Sequence, residues 1–363
     1  MTNRLVNKEI AEKIKVLIVD DSALIRALLT EIINQADDME VIGTARDPLI
    51  AREKIRELQP DVITLDIEMP RMDGLEFLEK LMRLHPLPVL MISTHTEKGS
   101  AATLRALELG AVDFIAKPKL DIQHKLEEYA AEITEKIRMI AQAKVYPLHG
   151  YSLSKPQTKV AKIPAIKSIK RVNEIEKLIV IGASTGGTEA IKEILLDMPA
   201  DSPPILIVQH MPEGFTKSYA ARLNSLCQIA VNEAVHDERI LPGHAYLAPG
   251  GYHLTILRRG GQYRCQISQD APVNHHRPSV DVLFNSVAKQ ANGNAVGIIL
   301  TGMGKDGAAG LKQLHDVGCK TFAQNEATCV VFGMPKEAIA LGAVDDTVSI
   351  NKMTDSILTE FDL

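Results

Sequence analysis

Two groups of polar residues in this 363-residue chain have the types and the spacing to do chemistry. The first group is acidic: Asp20 and Asp21 follow the apolar run VLIV, and Asp66 follows the run VITL. Carboxylates that are brought together repel one another unless a cation neutralises them, and hard oxygen ligands suit Mg²⁺. An aspartate held beside Mg²⁺ and a lysine such as Lys117 is equipped to accept a phosphoryl group. The acidic group therefore predicts a magnesium-dependent phosphorylation site.

The second group begins with Ser184 in the segment VIGASTGG at 180–187. A serine between an apolar strand and a helix exposes its hydroxyl near helix N-terminal amides such as that of Thr185, which can bind an oxyanion. Three interpretations stay open: the G-x-S-x-G elbow of α/β-hydrolases, the glycine loop of short-chain dehydrogenases, and a serine that only caps a helix. The dehydrogenase interpretation is weakened because the next strand ends in His210, where a ribose-binding acid is needed.

A serine nucleophile requires a base and an anion that orients the base. His210 ends the strand-like run PILIVQ and is expected at the same sheet edge as Ser184, with His275 and His276 as its rivals. Asp306 follows the apolar run VGIIL and is expected at that edge too, although it could equally cap the next helix. The chain order Ser, His, Asp differs from that of α/β-hydrolases, which favours another fold carrying a convergent triad.

The elements that must position these groups follow an α/β pattern, because short β-branched runs alternate with helical periods. Five buried runs between residues 16 and 117 predict one doubly wound domain with five parallel strands. The alternation restarts at residue 177 and predicts a second α/β domain. Between the two, residues 144–173 carry seven cationic side chains and no acidic one, as expected of an exposed linker.

Composition excludes several functional classes. Hydrophobic residues make up 45% of the chain, charged residues 24%, and the formal net charge of -5 is too mild for a nucleic-acid-binding surface. The four cysteines have no metal-ligand spacing and fit the free thiols of a reducing cytoplasm. No apolar run approaches the roughly 20 residues that span a bilayer, so membrane insertion is not expected and the expected location is cytoplasmic.

The acidic group, with LDIEMPRMDG around Asp66 and AKP at Lys117, resembles the receiver domain of two-component response regulators over residues 15–133. The resemblance implies that Asp66 is the phosphoacceptor. The ligands that it implies for Mg²⁺ are Asp20, Asp21, Asp66 and the backbone carbonyl of Glu68. The switch residues that it implies are Ser93, Phe114 and Lys117.

Four segments behind the receiver resemble the chemotaxis receptor methylesterases, the CheB family: GASTGG, QHMP, HRPSVDVLF and GMGKDGAAGL. The resemblance implies hydrolysis of γ-glutamyl methyl esters, and often deamidation of glutamines, on the cytoplasmic domains of methyl-accepting chemoreceptors. A chemotaxis histidine kinase would be the phosphodonor, and the hydrolysis would need no cofactor. The implied catalytic residues are Ser184 as nucleophile, His210 as general base and Asp306 as orienting carboxylate. The implied oxyanion donors are the amides of Thr185 and Met303.

The expected domains are an N-terminal extension at 1–14, a receiver at 15–133, a helix end and basic linker at 134–175, and a methylesterase domain at 176–363. The last is expected to contain a mainly parallel sheet that differs from the standard α/β-hydrolase fold. The alternatives are a response regulator with a non-catalytic binding output and an NAD(P)-dependent reductase. Neither nucleic acid nor membrane is an expected partner.

Overall fold

The computed structural model describes residues 12–69, 73–93, 97–117, 124–145, 147 and 177–361. Two compact units divide the chain, one formed by residues 1–94 and 109–147, the other by residues 95–108 and 148–363. Most of the expected N-terminal extension, and the linker over residues 148–176, lie outside the described residues. None of the helices in the described part of the chain combines the length and apolar character needed to cross a bilayer.

The N-terminal sheet confirms the predicted doubly wound domain with five parallel strands. Its strands are β1 (Ile14–Val19), β2 (Met39–Ala45), β3 (Val62–Asp66), β4 (Val89–Ser93) and β5 (Asp113–Ala116). The helices in this part of the chain are α1 (Ala23–Asn34), α2 (Pro48–Leu58), α3 (Gly74–Leu84), α4 (Glu97–Glu108) and α5 (His124–Ile140). The strand order is β2-β1-β3-β4-β5, and every pair is parallel.

Burial explains the strand assignments in this sheet. Every residue of β3 and β4 is buried, as required of strands that are covered on both faces by crossover helices. Helix α1 begins at the cap that the sequence offers, because the hydroxyl of Ser22 accepts a hydrogen bond from the amide of Ile25. Since the strand order reverses between β1 and β3, the residues that follow these two strands border one crevice.

A second sheet, in the C-terminal part of the chain, contains seven strands. They are β6 (Leu178–Ala183), β7 (Ile205–Gln209), β8 (Ala230–Glu233), β9 (His244–Leu247), β12 (Ala295–Ile299), β13 (Lys320–Gln324) and β14 (Asp346–Val348). Strands β10 (His253–Arg259) and β11 (Gln262–Ser268) form a separate antiparallel pair. The helices here are α6 (Gly187–Leu196), α7 (Phe215–Leu226), α8 (Val280–Ala291), α9 (Ala308–Asp316), α10 (Met334–Ala340) and α11 (Ile350–Thr359).

The strand order of the seven-stranded sheet brings the loops after β12, β6 and β7 together. The order is β14-β13-β12-β6-β7-β9-β8, and all of its pairs are parallel, which confirms the expected mainly parallel sheet. The central strand β6 pairs with β12 on one side and with β7 on the other. The winding direction reverses at β6, and the carboxyl ends of strands at such a point border a ligand crevice.

Helix α8 packs directly on β6, and Gly182 makes this close approach possible. A Cβ atom placed on Gly182 would lie 2.2 Å from Cγ1 of Val280, the first residue of α8. The packing therefore requires glycine at the end of β6, where the distance between helix and strand sets the place of the loops that follow.

Gly182→Ala is expected to lower the free energy of unfolding by about 1–3 kcal/mol, because the added methyl group overpacks the β6–α8 contact. Equilibrium urea unfolding of the full chain measures the change. Val280→Ala removes the atoms that the new methyl group would meet, so the double variant should be more stable than the sum of the two single changes indicates. Additive losses would show that the Gly182–Val280 contact does not limit the packing.

Candidate functional site

Ser184 and His210 directly follow the neighbouring strands β6 and β7, at the same edge of the sheet. The last pair in the register of β6 with β7 is Ala183 with Gln209, so Ser184 and His210 are the next residue on each strand. The amide of His210 donates to the carbonyl of Ala183 at 3.1 Å. The expectation that both residues lie at one sheet edge is therefore correct.

The side chain of Gln209 joins the backbones of these two residues. Its Nε2 donates to the carbonyl of Ser184 at 2.8 Å and to that of His210 at 3.3 Å, and the side chain is buried. A Cβ atom on Gly187 would lie 2.2 Å from Oε1 of Gln209 and collide with it. The glycine after the Ser184 turn therefore leaves space for the Gln209 side-chain amide. Gln209 thus fixes the turn that carries the serine.

The loop after β12 packs against Ser184 from the other side. The amide of Ser184 donates to the carbonyl of Thr301 at 3.1 Å, and the hydroxyl of Thr301 donates to the carbonyl of Thr185 at 3.0 Å. A Cβ atom on Gly302 would lie 2.7 Å from Cβ of Ser184 and 2.3 Å from Sδ of Met334. Only glycine fits there, which lets this loop reach the serine.

Asp306 ends the same loop and forms a hydrogen bond with His210. Nε2 of His210 and Oδ2 of Asp306 are 2.8 Å apart, and the Asp306 side chain is 1% exposed. An ionised carboxylate only accepts, so Nε2 carries the proton and Nδ1 is the nitrogen with a free lone pair. Nδ1 is buried and has no hydrogen-bond partner among the described residues. The structure thus joins His210 to Asp306, whereas the hydroxyl of Ser184 is not hydrogen-bonded to either.

Asp306 does not cap helix α9, the alternative that its sequence position allowed. The N-cap of α9 is Gly307, and the carboxylate of Asp306 instead accepts hydrogen bonds around the start of α8. Its donors, besides His210, are the amide of Val280 at 2.7 Å, the hydroxyl of Ser279 at 2.7 Å, Nδ2 of Asn274 at 2.8 Å and the amide of Asp281 at 3.4 Å.

These donors decide the charge of Asp306. Burial alone would raise the pKa of this carboxyl, but the hydrogen bonds from His210, Asn274 and Ser279 outweigh burial and hold the pKa well below its usual range. Asp306 is therefore anionic over the whole physiological range. A permanent buried anion beside Nε2 can stabilise the imidazolium that forms when Nδ1 accepts a proton in general base catalysis.

The other candidates lie around this pair. Thr185 is buried and Met303 is half-buried, in the loops after β6 and β12 that flank Ser184.

Of the rival histidines, His275 is exposed, whereas the ring of His276 stacks on that of His210 with centroids 3.7 Å apart and planes 13° apart. His276 is therefore next to the site without a hydrogen bond to Asp306.

In the N-terminal unit, the structure brings the three acidic residues together. One carboxylate oxygen from each of Asp20, Asp21 and Asp66 lies within 4.8 Å of those of the other two. Nζ of Lys117 is 2.8 Å from Oδ2 of Asp66 and 3.2 Å from Oδ2 of Asp20. The predicted cluster of carboxylates and lysine is therefore present.

The residues of this cluster fit a divalent cation. Oδ2 of Asp20 and Oδ2 of Asp66 are buried and share the single ammonium of Lys117. Burial raises the pKa of Asp66 to about 6, helped by the charge of Asp20 and opposed by Lys117. One lysine therefore does not compensate the acidic charge.

The other predicted residues of the receiver lie on or next to these strands. Ser93 and Phe114 are buried on the neighbouring strands β4 and β5, and Glu68 is exposed after β3.

Sequence reasoning missed three side chains that support the C-terminal site: Gln209, Asn274 and Ser279. Gln209 is part of the QHMP segment and Ser279 of the HRPSVDVLF segment, so the motifs include these residues but do not indicate their contacts. Asn274 sits in an irregular loop and contacts residues 7 and 32 positions away. No local pattern signals such contacts.

Comparison with known proteins assigns a family to each of the two parts of the chain that carry these sites. Residues 16–127 match the family described as response regulator receiver domain, and residues 179–357 match the family described as CheB methylesterase. A solved structure, the CheB methylesterase catalytic domain of Thermotoga maritima, is 38% identical with a TM-score of 0.50 and covers 51% of this chain and 98% of its own.

Similarity to curated relatives extends over nearly the full length. A protein-glutamate methylesterase/protein-glutamine glutaminase 1 of Geobacter metallireducens is 62% identical and covers 94% of each chain. The protein-glutamate methylesterase/protein-glutamine glutaminase of Nitrosomonas europaea is 61% identical and covers 96% of each chain. At such identity across both units, the chain belongs to the CheB methylesterase family and has a receiver domain ahead of its methylesterase domain.

Proposed function

We propose that this protein is a phosphorylation-regulated serine hydrolase of the cytoplasm that demethylates glutamyl methyl esters, and deamidates glutamines, on chemoreceptors. The single observation that carries the catalytic part is the buried hydrogen bond between His210 and Asp306, one strand away from Ser184. Relatives that share its whole length are named as methylesterases and glutaminases. Those names do not favour a non-catalytic output or an NAD(P)-dependent reductase.

In this mechanism, Nδ1 of His210 accepts the proton of the Ser184 hydroxyl as Oγ attacks the ester or amide carbon. Asp306 stabilises the imidazolium that forms. The amides of Thr185 and Met303 donate to the oxyanion of the tetrahedral intermediate. His210 then returns the proton to the leaving group, which departs as methanol or ammonia. Water, activated by the same nitrogen, hydrolyses the glutamyl ester on Ser184 and regenerates the hydroxyl.

The substrate chemistry explains why the base is held so firmly. An ester and an amide differ in leaving group, and the amide nitrogen must be protonated as it departs. A base whose proton can be passed back serves both reactions. The fixed anion of Asp306 stabilises the charged imidazole in each of the two half-reactions, so no metal or organic cofactor is needed for hydrolysis.

In the receiver domain, Asp66 accepts the phosphoryl group and a histidine kinase of the chemotaxis system supplies it. Asp20, Asp21, Asp66 and the backbone carbonyl of Glu68 would hold Mg²⁺, which when bound would supply positive charge against the carboxylates and the incoming phosphoryl group. Lys117 pairs with the acceptor carboxylate, and Ser93 and Phe114 respond to its phosphorylation. The proposed division places the receiver at 15–133, the helix end and linker at 134–175, and the catalytic domain at 176–363.

Ser184→Ala should lower the release of methanol from methylated receptors by a factor of about 10⁴ or more, as in other serine-triad knockouts. Radiolabelled methanol released from methyl-labelled receptor membranes measures the rate. Ser225→Ala, on the exposed end of α7, is the matched control and should keep the full rate. A loss below tenfold in Ser184→Ala would exclude Ser184 as the nucleophile.

Asp66→Asn should abolish phosphoryl uptake from acetyl phosphate and Mg²⁺ while basal ester hydrolysis continues, because the amide cannot act as the acceptor. Acid-labile phosphate on the protein measures uptake, and methanol release in the same samples measures hydrolysis. Asp37→Asn changes an exposed aspartate before β2 in the same way and should affect neither quantity. Undiminished uptake in Asp66→Asn would assign the phosphoryl group to another residue.

A further inference from the structure

Asn274 lies in the loop before α8, and its side-chain amide bridges two buried carboxylates. Nδ2 is 2.8 Å from Oδ1 of Asp306 and 2.8 Å from Oδ2 of Asp281. A primary amide has two N–H donors, so each carboxylate can receive one of them. Both donors of this side chain are then used on acceptors that other elements provide.

The same two carboxylates stabilise the starts of two helices in a reciprocal way. Asp306, which precedes α9, accepts the amide of Val280 at the start of α8 at 2.7 Å. Asp281, in the first turn of α8, accepts the amide of Gly310 in the first turn of α9 at 2.6 Å. Each anion thus satisfies an N-terminal amide of the other helix and lies near the positive end of its dipole.

This arrangement puts two negative charges close together away from water. Asp306 is 1% exposed and Asp281 is 7% exposed. Burial raises the pKa of Asp281, the amide of Gly310 opposes the rise, and the charge of Asp306 adds to it. A neutral donor between the carboxylates lowers the cost of holding both anions in place.

A tight turn orients the side chain of Asn274 toward the two carboxylates and the ring of His276 toward that of His210. The amides and carbonyls of Val273 and His276 pair with each other at 3.1 and 2.9 Å. The two residues between them, Asn274 and His275, have positive φ values of 52° and 66°. This is the geometry of a two-residue type I′ turn, in which asparagine is favoured. The turn therefore contacts both partners of the hydrogen bond at the site, Asp306 through Asn274 and His210 through the stacked ring of His276.

We propose that Asn274 is a positioning residue for hydrolysis, which fixes the carboxylate of Asp306 by holding Oδ1 so that Oδ2 faces Nε2 of His210. This proposal rests on the function proposed above and adds a residue to it. Ser279 donates to the same Oδ1 at 2.7 Å but belongs to the start of α8, whereas Asn274 also donates to Asp281 and so bridges the two carboxylates. Without the side-chain amide of Asn274, Asp306 would have one donor fewer. Its negative charge would then face that of Asp281 directly.

Asn274→Gly tests the role of the amide with little change in the backbone, because glycine adopts the left-handed conformation and suits a type I′ turn. With Asp66 phosphorylated by acetyl phosphate, kcat for methanol release should fall about ten- to hundredfold, the range expected for one hydrogen bond to a buried charge. KM should change less than about twofold, since Asn274 contacts the carboxylates and not the proposed nucleophile.

The pH profile gives a readout that a merely structural role would not move. A carboxylate that loses a donor holds a protonated imidazole more tightly, so the acid limb of kcat/KM should move to higher pH. The ionisable groups that face or adjoin Asp306 are His210 at Oδ2, Asp281 across the amide, His276 stacked on His210, and Lys305 next in the chain. None of these is altered in the variant.

Asn292→Gly is the matched control, because Asn292 also has a positive φ, 47°, and lies at the opposite end of α8 as its C-cap. It should keep the kinetics and the pH profile of the unaltered protein. Asn274→Asp keeps the shape but replaces the donor by an acceptor, so at pH 8 its loss of kcat should at least equal that of Asn274→Gly.

The outcomes separate the two proposals. If the unaltered protein releases methanol and Asn274→Gly does so with equal kcat and an unchanged acid limb, the positioning role is wrong while the proposed function stands. Near-normal kcat in Asn274→Asp at pH 8 would likewise overturn the role of the donated hydrogen bonds. If the unaltered protein releases no methanol from methylated receptors, the proposed function itself fails.

Discussion

The charge of one buried carboxylate, that of Asp306, constrains most of the C-terminal unit. A carboxylate that is 1% exposed remains ionised only when donors replace the water that it has lost. Five donors do so here, from the loop before α8, from the start of α8 and from His210. The packing of α8 on Gly182, the turn at 273–276 and the loop after β12 can each be understood as bringing one of these groups within hydrogen-bonding distance.

The two units place their polar groups by the same rule and balance their charges in opposite ways. Both gather side chains where parallel strands end and the winding direction reverses. In the receiver, three carboxylates lie together and two of them, Asp20 and Asp66, share the ammonium of Lys117, while burial and the charge of Asp20 raise the pKa of Asp66 to about 6. In the catalytic domain, the hydrogen bonds that Asp306 accepts outweigh its burial, and its pKa is lowered. The first arrangement suits a cation and a phosphoryl group, and the second suits proton transfer.

Much of the fold could be predicted from sequence because buried parallel strands appear as apolar runs. The runs that end at Asp20, Asp66, Ser184 and His210 were found with boundaries close to those of β1, β3, β6 and β7. Short strands such as β8 and β14 were not predicted, since three or four partly exposed residues carry no clear period. The receptor methylesterase resemblance came from motifs after β6, β7 and β12 and at the start of α8, whereas the family membership rests on similarity over nearly the whole chain.

The support of the site could not be predicted in the same way. Asp306 had two equal interpretations, and only the position of α8 decides between capping α9 and facing His210. Asn274 gains its contacts from a turn whose partners are Asp281, in the first turn of α8, and Asp306, just before α9. Which ring nitrogen of His210 stays free also depends on tertiary contacts alone. Spacing along the chain carries information on strands and on cap residues, and much less on hydrogen bonds between distant loops.

The central claim is that the His210–Asp306 pair activates the hydroxyl of Ser184, and covalent labelling tests it most directly. The full-length protein is treated with an organophosphonate, the modified peptide is identified by mass spectrometry, and methanol release from methylated receptors is followed in the same samples. The account predicts one phosphonyl group per chain, on Ser184, with activity lost in proportion to labelling. Full activity after complete labelling of Ser184, or inactivation with the label on another residue, would contradict it.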